Sequence, residues 1–343
     1  MHPGPRNENA IDFWRGFALV TIFIDHIPGN IYSHATLRNF AISDAAELFV
    51  LLAGWSSAYA TGGPLRPDPA PRVVFRLLSR AVEIYRAQIV ISAMALAMLA
   101  TMAITRSNPL YLEWHNASVA FYDPVRASLG SVILTYQLSY FNILPLYVAL
   151  LVFAPLVVVT ARRSLVLALC GSIALYLWAI VTHTNLPSWP GQDAWYFNPL
   201  AWQLLFVTGF AAAEIAGRSP RAAETARRLV PYAAALVAAG FVVRIAEFWP
   251  DPLKVPEPRL LFLFDKTYLS PVRLVSVFAI ALAFHTVFAR IRPRIGLLSR
   301  YFCALGRNSL AVFSVASLLS LAGQLGRFVA GGGIFIDTVM IVS

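Results

Sequence analysis

Charge is what this sequence has least of. Only 13% of its 343 residues are charged, against roughly 25% in soluble globular domains. Cysteine is nearly absent: Cys170 lies within an apolar run and Cys303 just before one. That excludes a disulfide framework and a cysteine metal site, and leaves both thiols to packing. Lysine is equally scarce, because every basic residue other than Lys254 and Lys266 is arginine. His115, His183 and His285 have no ligand spacing, so no metal site is expected and the three read as structural. No internal repeat is visible, and the glycine and proline interruptions do not pair between halves as they do in inverted-repeat transporters. What the chain has in quantity is apolar residues, 58% of the total. Its net charge of +10 would suit nucleic acid. The arginines, however, fall in short connections between apolar runs, where basic residues orient membrane proteins. The composition therefore describes an all-α, polytopic integral membrane protein with lipid and no nucleic acid as a partner, read as a single domain over residues 1–343.

Runs of about 17–22 apolar residues fit helices that cross roughly 30 Å of hydrocarbon. They are expected over Ile11–Ile27, Ala45–Ala60, Ile84–Thr105, Asn142–Thr160, Ser164–Thr182, Asn198–Ile215, Leu229–Phe248, Pro271–Ala289 and Asn308–Gly323, with a short last one at Gly331–Ser343. That is about ten transmembrane helices. Arg66, Arg72, Arg76 and Arg80 lie between spans two and three, Arg162 and Arg163 between four and five, and Arg218, Arg221, Arg227 and Arg228 between six and seven. Arg290, Arg292, Arg294, Arg300 and Arg307 lie between eight and nine. One orientation suits all four connections: N-terminus cytoplasmic, odd-numbered spans running outward. The alternate, outer connections are long and aromatic, with Trp114, Tyr136 and Tyr140 in one and Trp189 and Trp195 in another. Such rings form interfacial belts, and they also stack on sugars.

The first span carries residues that hydrocarbon does not favour. An Arg or Asp at mid-bilayer costs about 2.5–3.5 kcal/mol and is read as functional by default. Arg15 and His26 are eleven positions apart, which places them on one helix face and about 16 Å apart along the axis. His26 follows Asp25 and precedes Pro28, where the helix cannot continue. A neutral imidazole is a usable base near pH 7, and Asp44 or Glu47 at the start of span two is placed to orient it. The structural alternative is a wet helix terminus. His34, in the following loop, is the second candidate base. At the other end, Arg15 pairs with Asp12 or meets a phosphate. Arg72, Arg76 and Arg80 line one helix face, suited to lipid headgroups or to an anionic donor. Arg307 and Asn308 open span nine, whose N-terminus favours an anion. Trp202 and Gln203 form a polar break in span six, and a glutamine there needs a partner or a cavity. Arg244 and Glu247, three apart, are expected to pair. A membrane transporter or flippase of a glycan or lipid, with Asp25–His26 as its proton site, is the alternative to an enzyme.

Several of these stretches resemble one family. Asp12-Phe-Trp-Arg-Gly-Phe-Ala-Leu, running on to His26-Ile-Pro-Gly-Asn, and Ser43-Asp-Ala-Ala-Glu47-Leu-Phe-Val-Leu-Leu-Ala-Gly54 resemble the OpgC family. So do Arg76-Leu-Leu-Ser-Arg80, Tyr136 through Tyr147, Asn198-Pro-Leu-Ala-Trp202-Gln203 on to Gly209, and Leu305-Gly-Arg307-Asn308-Ser-Leu. The resemblance covers almost the whole chain. It implies an inner-membrane O-acyltransferase, with no tightly bound cofactor. The acyl group, succinyl or another short one such as acetyl, would pass from cytoplasmic acyl-CoA to hydroxyls of a periplasmic glucan. It also implies His26 as the base, Asp25, Asp44 and Glu47 around it, and substrate contacts from Arg15, Arg76, Arg80, Trp202, Gln203, Arg307 and Asn308. A free succinyl carboxylate would need a cation, for which Arg38 and Arg106 are the outer candidates. A more distant resemblance, to the lysosomal heparan acetyltransferase family, matches His34 and Asp44 in spacing and favours His34 instead.

Overall fold

A computed structural model of the chain describes residues 8–63, 65, 67–191 and 193–342. Arg66, and Ser343 at the end of the last expected span, lie outside the described residues. The helices are α1 (Ala10–Asp25), α2 (Leu37–Phe40), α3 (Ala45–Ala60), α4 (Ala70–Thr105), α5 (Ser118–Tyr122), α6 (Pro124–Val132) and α7 (Ile143–Arg163). They continue with α8 (Leu165–Thr182), α9 (Pro199–Arg218), α10 (Pro220–Ile245), α11 (Pro271–Ile291), α12 (Gly296–Arg307), α13 (Ser309–Ala330) and α14 (Ile334–Val342). Among the described residues the only β pairing is an isolated bridge between Pro187 and Ala194. Among the described residues seven helices, α4, α7, α8, α9, α10, α11 and α13, are long and apolar enough to cross a membrane. The chain is a multi-pass membrane protein.

Local chemistry sets the helix ends. Asn9 caps α1 by accepting from the Asp12 amide, and Ser164 and Asn198 cap α8 and α9 in the same way. Asp44 and Glu47 close a reciprocal capping box on α3, so two exposed amides find acceptors at once. Proline sits in the first turn of α9, α10 and α11, where its missing N–H costs nothing. Gly331, left-handed at φ 80°, ends α13.

Successive long helices alternate in direction. The C-termini of α1, α4, α8, α10 and α13 therefore gather at one end with the N-termini of α3, α7, α9 and α11. Two crossings bring backbones into direct contact. A Cβ on Gly16 would overlap the Phe302 carbonyl, and one on Gly306 the Asp12 carbonyl, so α1 and α12 touch. A Cβ on Gly54 would overlap the Phe206 carbonyl, and one on Gly209 the Leu51 carbonyl, so α3 and α9 do likewise. Glycine permits this approach in a bundle held mainly by van der Waals packing.

Three differences from the expected spans have physical causes. The third helix begins at Ala70 rather than Ile84, because the arginine run continues the same helix outside the apolar segment. The connection before span nine contains α12, which turns Ser299, Cys303 and Gly306 inward and its arginines outward; five charges hid that period. The last helix has only 9 residues. Its Asp337 is buried and bonded to Arg327 at 2.7 Å and to the Ile31 amide at 3.0 Å. Helices α1 and α3 have 16 residues each, about 24 Å of rise, less than the roughly 30 Å of hydrocarbon. Their shared end is where the chain leaves a hollow.

Candidate active site

A cavity of about 540 Å³ lies at that end, between the C-terminus of α1 and the N-terminus of α3. Asp25, His26, Arg38 and Asp44 line it, together with Tyr140, Arg244, Lys266 and Arg273. Its wall reaches down to Ile22, Ile143 and Phe313, inside the bundle. His26 is half-buried and follows the last turn of α1. Among the described residues no side chain hydrogen-bonds either of its ring nitrogens. Its ring meets the Tyr140 ring at 4.8 Å and 62°. Asp25 accepts from Thr36 Oγ1 at 2.7 Å.

Asp44 and Glu47 are committed elsewhere. Lys266 Nζ donates to Asp44 at 2.5 Å, and Arg273 Nη2 reaches the same oxygen at 3.5 Å. Arg273 Nε donates to Glu47 at 2.6 Å, with its Nη2 on the same carboxylate. Glu47 is fully buried and Arg273 is 7% exposed. Burial works against the charge on Lys266, but Asp44 and then Glu47 outweigh it and hold this amine above the usual lysine range. Trp202 anchors the loop that carries the lysine, donating from its indole to the carbonyls of Lys266 and Thr267 at 3.0 and 3.2 Å. A two-carboxylate, two-cation cluster thus forms the wall next to the imidazole.

Two further cations on the lining have no carboxylate within ion-pair distance among the described residues: Arg38 and Arg244. The expected Arg244–Glu247 pair does not form. Helix α10 ends at Ile245 and Glu247 turns left-handed at φ 51°, which breaks the three-residue spacing. Arg244 lies over the Trp249 ring instead, 4.8 Å from its centre. Four cations therefore face this space against Asp25 and Asp44.

The other sequence candidates fall elsewhere. His34 is exposed on a short 3-10 turn and does not line the cavity. Arg106 is exposed just beyond α4. Trp202 and Gln203 are buried behind the wall rather than on it. Gln203 exchanges hydrogen bonds with Ser172, at 2.6 Å to its hydroxyl and 2.9 Å to its carbonyl, so the polar break in span six has its partner. At the far end Arg15 bonds Ser309 Oγ, stands 4.0 Å from Asp12, and has a buried Nε without an acceptor. Arg80 pairs with Glu83, and Arg76 with Asp68 and the Ala60 carbonyl. Asn308 bonds back to Ala304 beside Arg307. The fold thus gathers Asp25, His26, Arg38 and Asp44 at one cavity, with Glu47 behind them, and leaves Arg15, Arg76, Arg80, Arg307 and Asn308 at the opposite end.

Lys266 and Arg273 joined the site without having been singled out as site residues, and Tyr140 joined it from the outer connection, where it read as part of an aromatic belt or a sugar-stacking surface. For Lys266 the signal was its rarity, one of two lysines in a chain that otherwise uses arginine. Arg273 gave none beyond a charge one turn inside an apolar span.

A family model described as OpgC protein matches residues 7–343. No curated protein and no solved structure matches the chain.

Proposed function

The chain belongs to the OpgC family, and from that premise we propose an O-acyltransferase of the bacterial inner membrane. It moves a succinyl or other short acyl group from cytoplasmic acyl-CoA to hydroxyls of a periplasmic glucan. The whole chain, residues 1–343, acts as one transmembrane domain of about ten crossings. Its arginine-rich end, with Arg76, Arg80, Arg162 and Arg218, faces the cytoplasm, in keeping with the bias of basic loops. The N-terminus is then cytoplasmic and the cavity faces outward. Acyl-CoA is a co-substrate, and its thioester is already activated, so the reaction needs no tightly bound cofactor.

The observation that carries the reading is the His26 imidazole. Among the described residues no side chain bonds its nitrogens, and it stands at the wall of a cavity whose cations outnumber its carboxylates. Within it a glucan hydroxyl attacks the thioester carbonyl while His26 takes the hydroxyl proton. The tetrahedral intermediate collapses as the C–S bond breaks, and the imidazolium returns its proton to the leaving thiolate. General base catalysis of this kind contributes about 10²–10⁴ in rate. Arg38 and Arg244 supply the positive field that a succinyl carboxylate would meet. Purified protein given succinyl-CoA and a β-glucan should release free thiol and leave an acidic glucan. His26→Ala should lose this activity, and His34→Ala should keep it. Measurable transport of glycan or lipid, with no thiol release from any short acyl-CoA, would replace the enzyme with a transporter.

A further inference from the structure

A catalytic imidazole needs something to fix its ring. The familiar orienting group is a carboxylate on the second nitrogen. Here the neighbouring carboxylates have other partners, Asp44 in Lys266, Glu47 in Arg273 and Asp25 Oδ1 in the Thr36 hydroxyl, and among the described residues none bonds the His26 ring. What does surround His26 is a set of groups from three separate parts of the chain. Gln324, near the end of α13, donates its amide to the His26 carbonyl. The same side chain faces the imidazole of His115, whose buried Nε2 makes no full hydrogen bond among the described residues. Between the two histidines stands Tyr140, with its ring 4.8 Å from that of His26 and 5.3 Å from that of His115, edge-on to both.

The backbone here is unusual as well. His115 and Tyr140 both take left-handed conformations, at φ 56° and 68°. Non-glycine residues keep such angles only where their surroundings over-determine them. The surroundings are in place. The Ser139 amide donates to the His115 carbonyl at 3.0 Å, and the Tyr136 hydroxyl to the Asn116 carbonyl at 2.6 Å. Two left-handed loop residues are thereby held side by side, and the Tyr140 ring lies against the candidate base.

We propose that Tyr140, His115 and Gln324 form a bracket that holds the His26 imidazole in one orientation at the cavity wall, replacing the orienting carboxylate. They are positioning residues, because their action on the reaction passes through His26. The proposal rests on the acyl-transfer reading for its kinetic test but not for its structural one. In the kinetic test, thiol release from succinyl-CoA is measured with a β-glucan acceptor. Misplacing a reacting group by about 1 Å costs on the order of 10²-fold. Tyr140→Ala should therefore lower kcat by about that factor while KM for the donor stays put. Tyr140→Phe keeps the ring and should restore most of the rate. In the structural test, the six histidines are labelled with ¹⁵N in detergent-solubilised protein, and His26→Ala assigns the His26 signals. Wild type and Tyr140→Phe should give one sharp set of His26 ring signals, as for a single ring orientation. Tyr140→Ala and Gln324→Ala should give averaged His26 signals, with the histidines outside the bracket unmoved. An unchanged His26 spectrum in Tyr140→Ala would overturn the bracket even if the protein proves to be no acyltransferase. A wild-type protein without thiol release but with the expected spectra would overturn only the reaction.

Discussion

Replacing Arg273 by methionine removes the one cation that touches a carboxylate with no access to solvent. Glu47 accepts from Arg273 Nε at 2.6 Å and gives its other oxygen to the Asp44 amide at 3.1 Å. After Arg273→Met, Asp44 still has Lys266 at 2.5 Å, but Glu47 keeps only the Asp44 amide and loses its counter-charge. Breaking a buried ion pair from one side costs about 3–5 kcal/mol, because the remaining charge is uncompensated. Glu47→Gln removes that charge and keeps an oxygen for the Asp44 amide. The double variant Arg273→Met/Glu47→Gln should therefore recover most of the loss, since neutral replacements for a buried pair are often close to neutral in stability. Equilibrium unfolding in mixed micelles, followed through the eight tryptophans, gives the four free energies of the cycle. The reasoning fails if the double variant is no more stable than Arg273→Met. The cluster would then contribute through the packing of the arginine stem and not through charge.

Other outcomes follow from the same geometry. Gly54→Ala and Gly209→Ala each push a Cβ into a facing carbonyl at the α3–α9 crossing and should each cost about 1–3 kcal/mol by overpacking. Gly171→Ala, where a Cβ meets nothing within 4 Å, should leave the unfolding midpoint unchanged or raised; equal losses at all three sites would refute the crossing argument. Arg38→Ala/Arg244→Ala should raise KM for succinyl-CoA by about tenfold, roughly 1.4 kcal/mol, and leave KM for acetyl-CoA in place; parallel shifts for both donors would remove these arginines from acyl selection. Lys266 sits above the usual lysine value in the folded protein. Its contribution is therefore complete below the unfolded value of about 10.4 and is lost as pH rises through the raised folded value. The unfolding midpoint of the wild type should stay level to about pH 10 and then fall, while Lys266→Met should lack that component of the alkaline drop.

The sequence was most legible where structure is local. The apolar run Ala45–Ala60 is the observed α3 to the residue, because Asp44 and Glu47 announce its start and no charge interrupts it. The polar end of α1 was legible for a similar reason, since Asp25, His26 and Pro28 stand together within a few residues. Long-range pairing was not. Asp44 lies 222 positions from Lys266, and Glu47 lies 226 from Arg273; no periodicity links them. Arg244 misled because i,i+3 reasoning holds only inside a helix, and α10 stops before Glu247. His115 read as an ordinary loop histidine, since its closeness to His26 depends on how a loop folds back after α4. Gln324 gave no signal at all, being one polar residue on a helix rich in small ones.

The position of the cavity floor bears on how donor and acceptor would meet. Phe313, fully buried, closes the cavity from below. One turn beneath it on α13 is Ser309, which holds the Arg15 guanidinium. Four residues of helix are about 6 Å, so about one turn of α13, an apolar layer, lies between the Phe313 lining and the serine that holds the arginine. In the proposed reaction the thioester comes from the arginine side and the hydroxyl from the other, so this layer is what the acyl arm must pass. Helix α13 contributes to both sides of it, through Ser309 below and through Gln324 behind His26. A displacement of α13 that admits the donor would also move the group that holds the base. In the proposed reaction, α13 would therefore link donor entry to the alignment of His26.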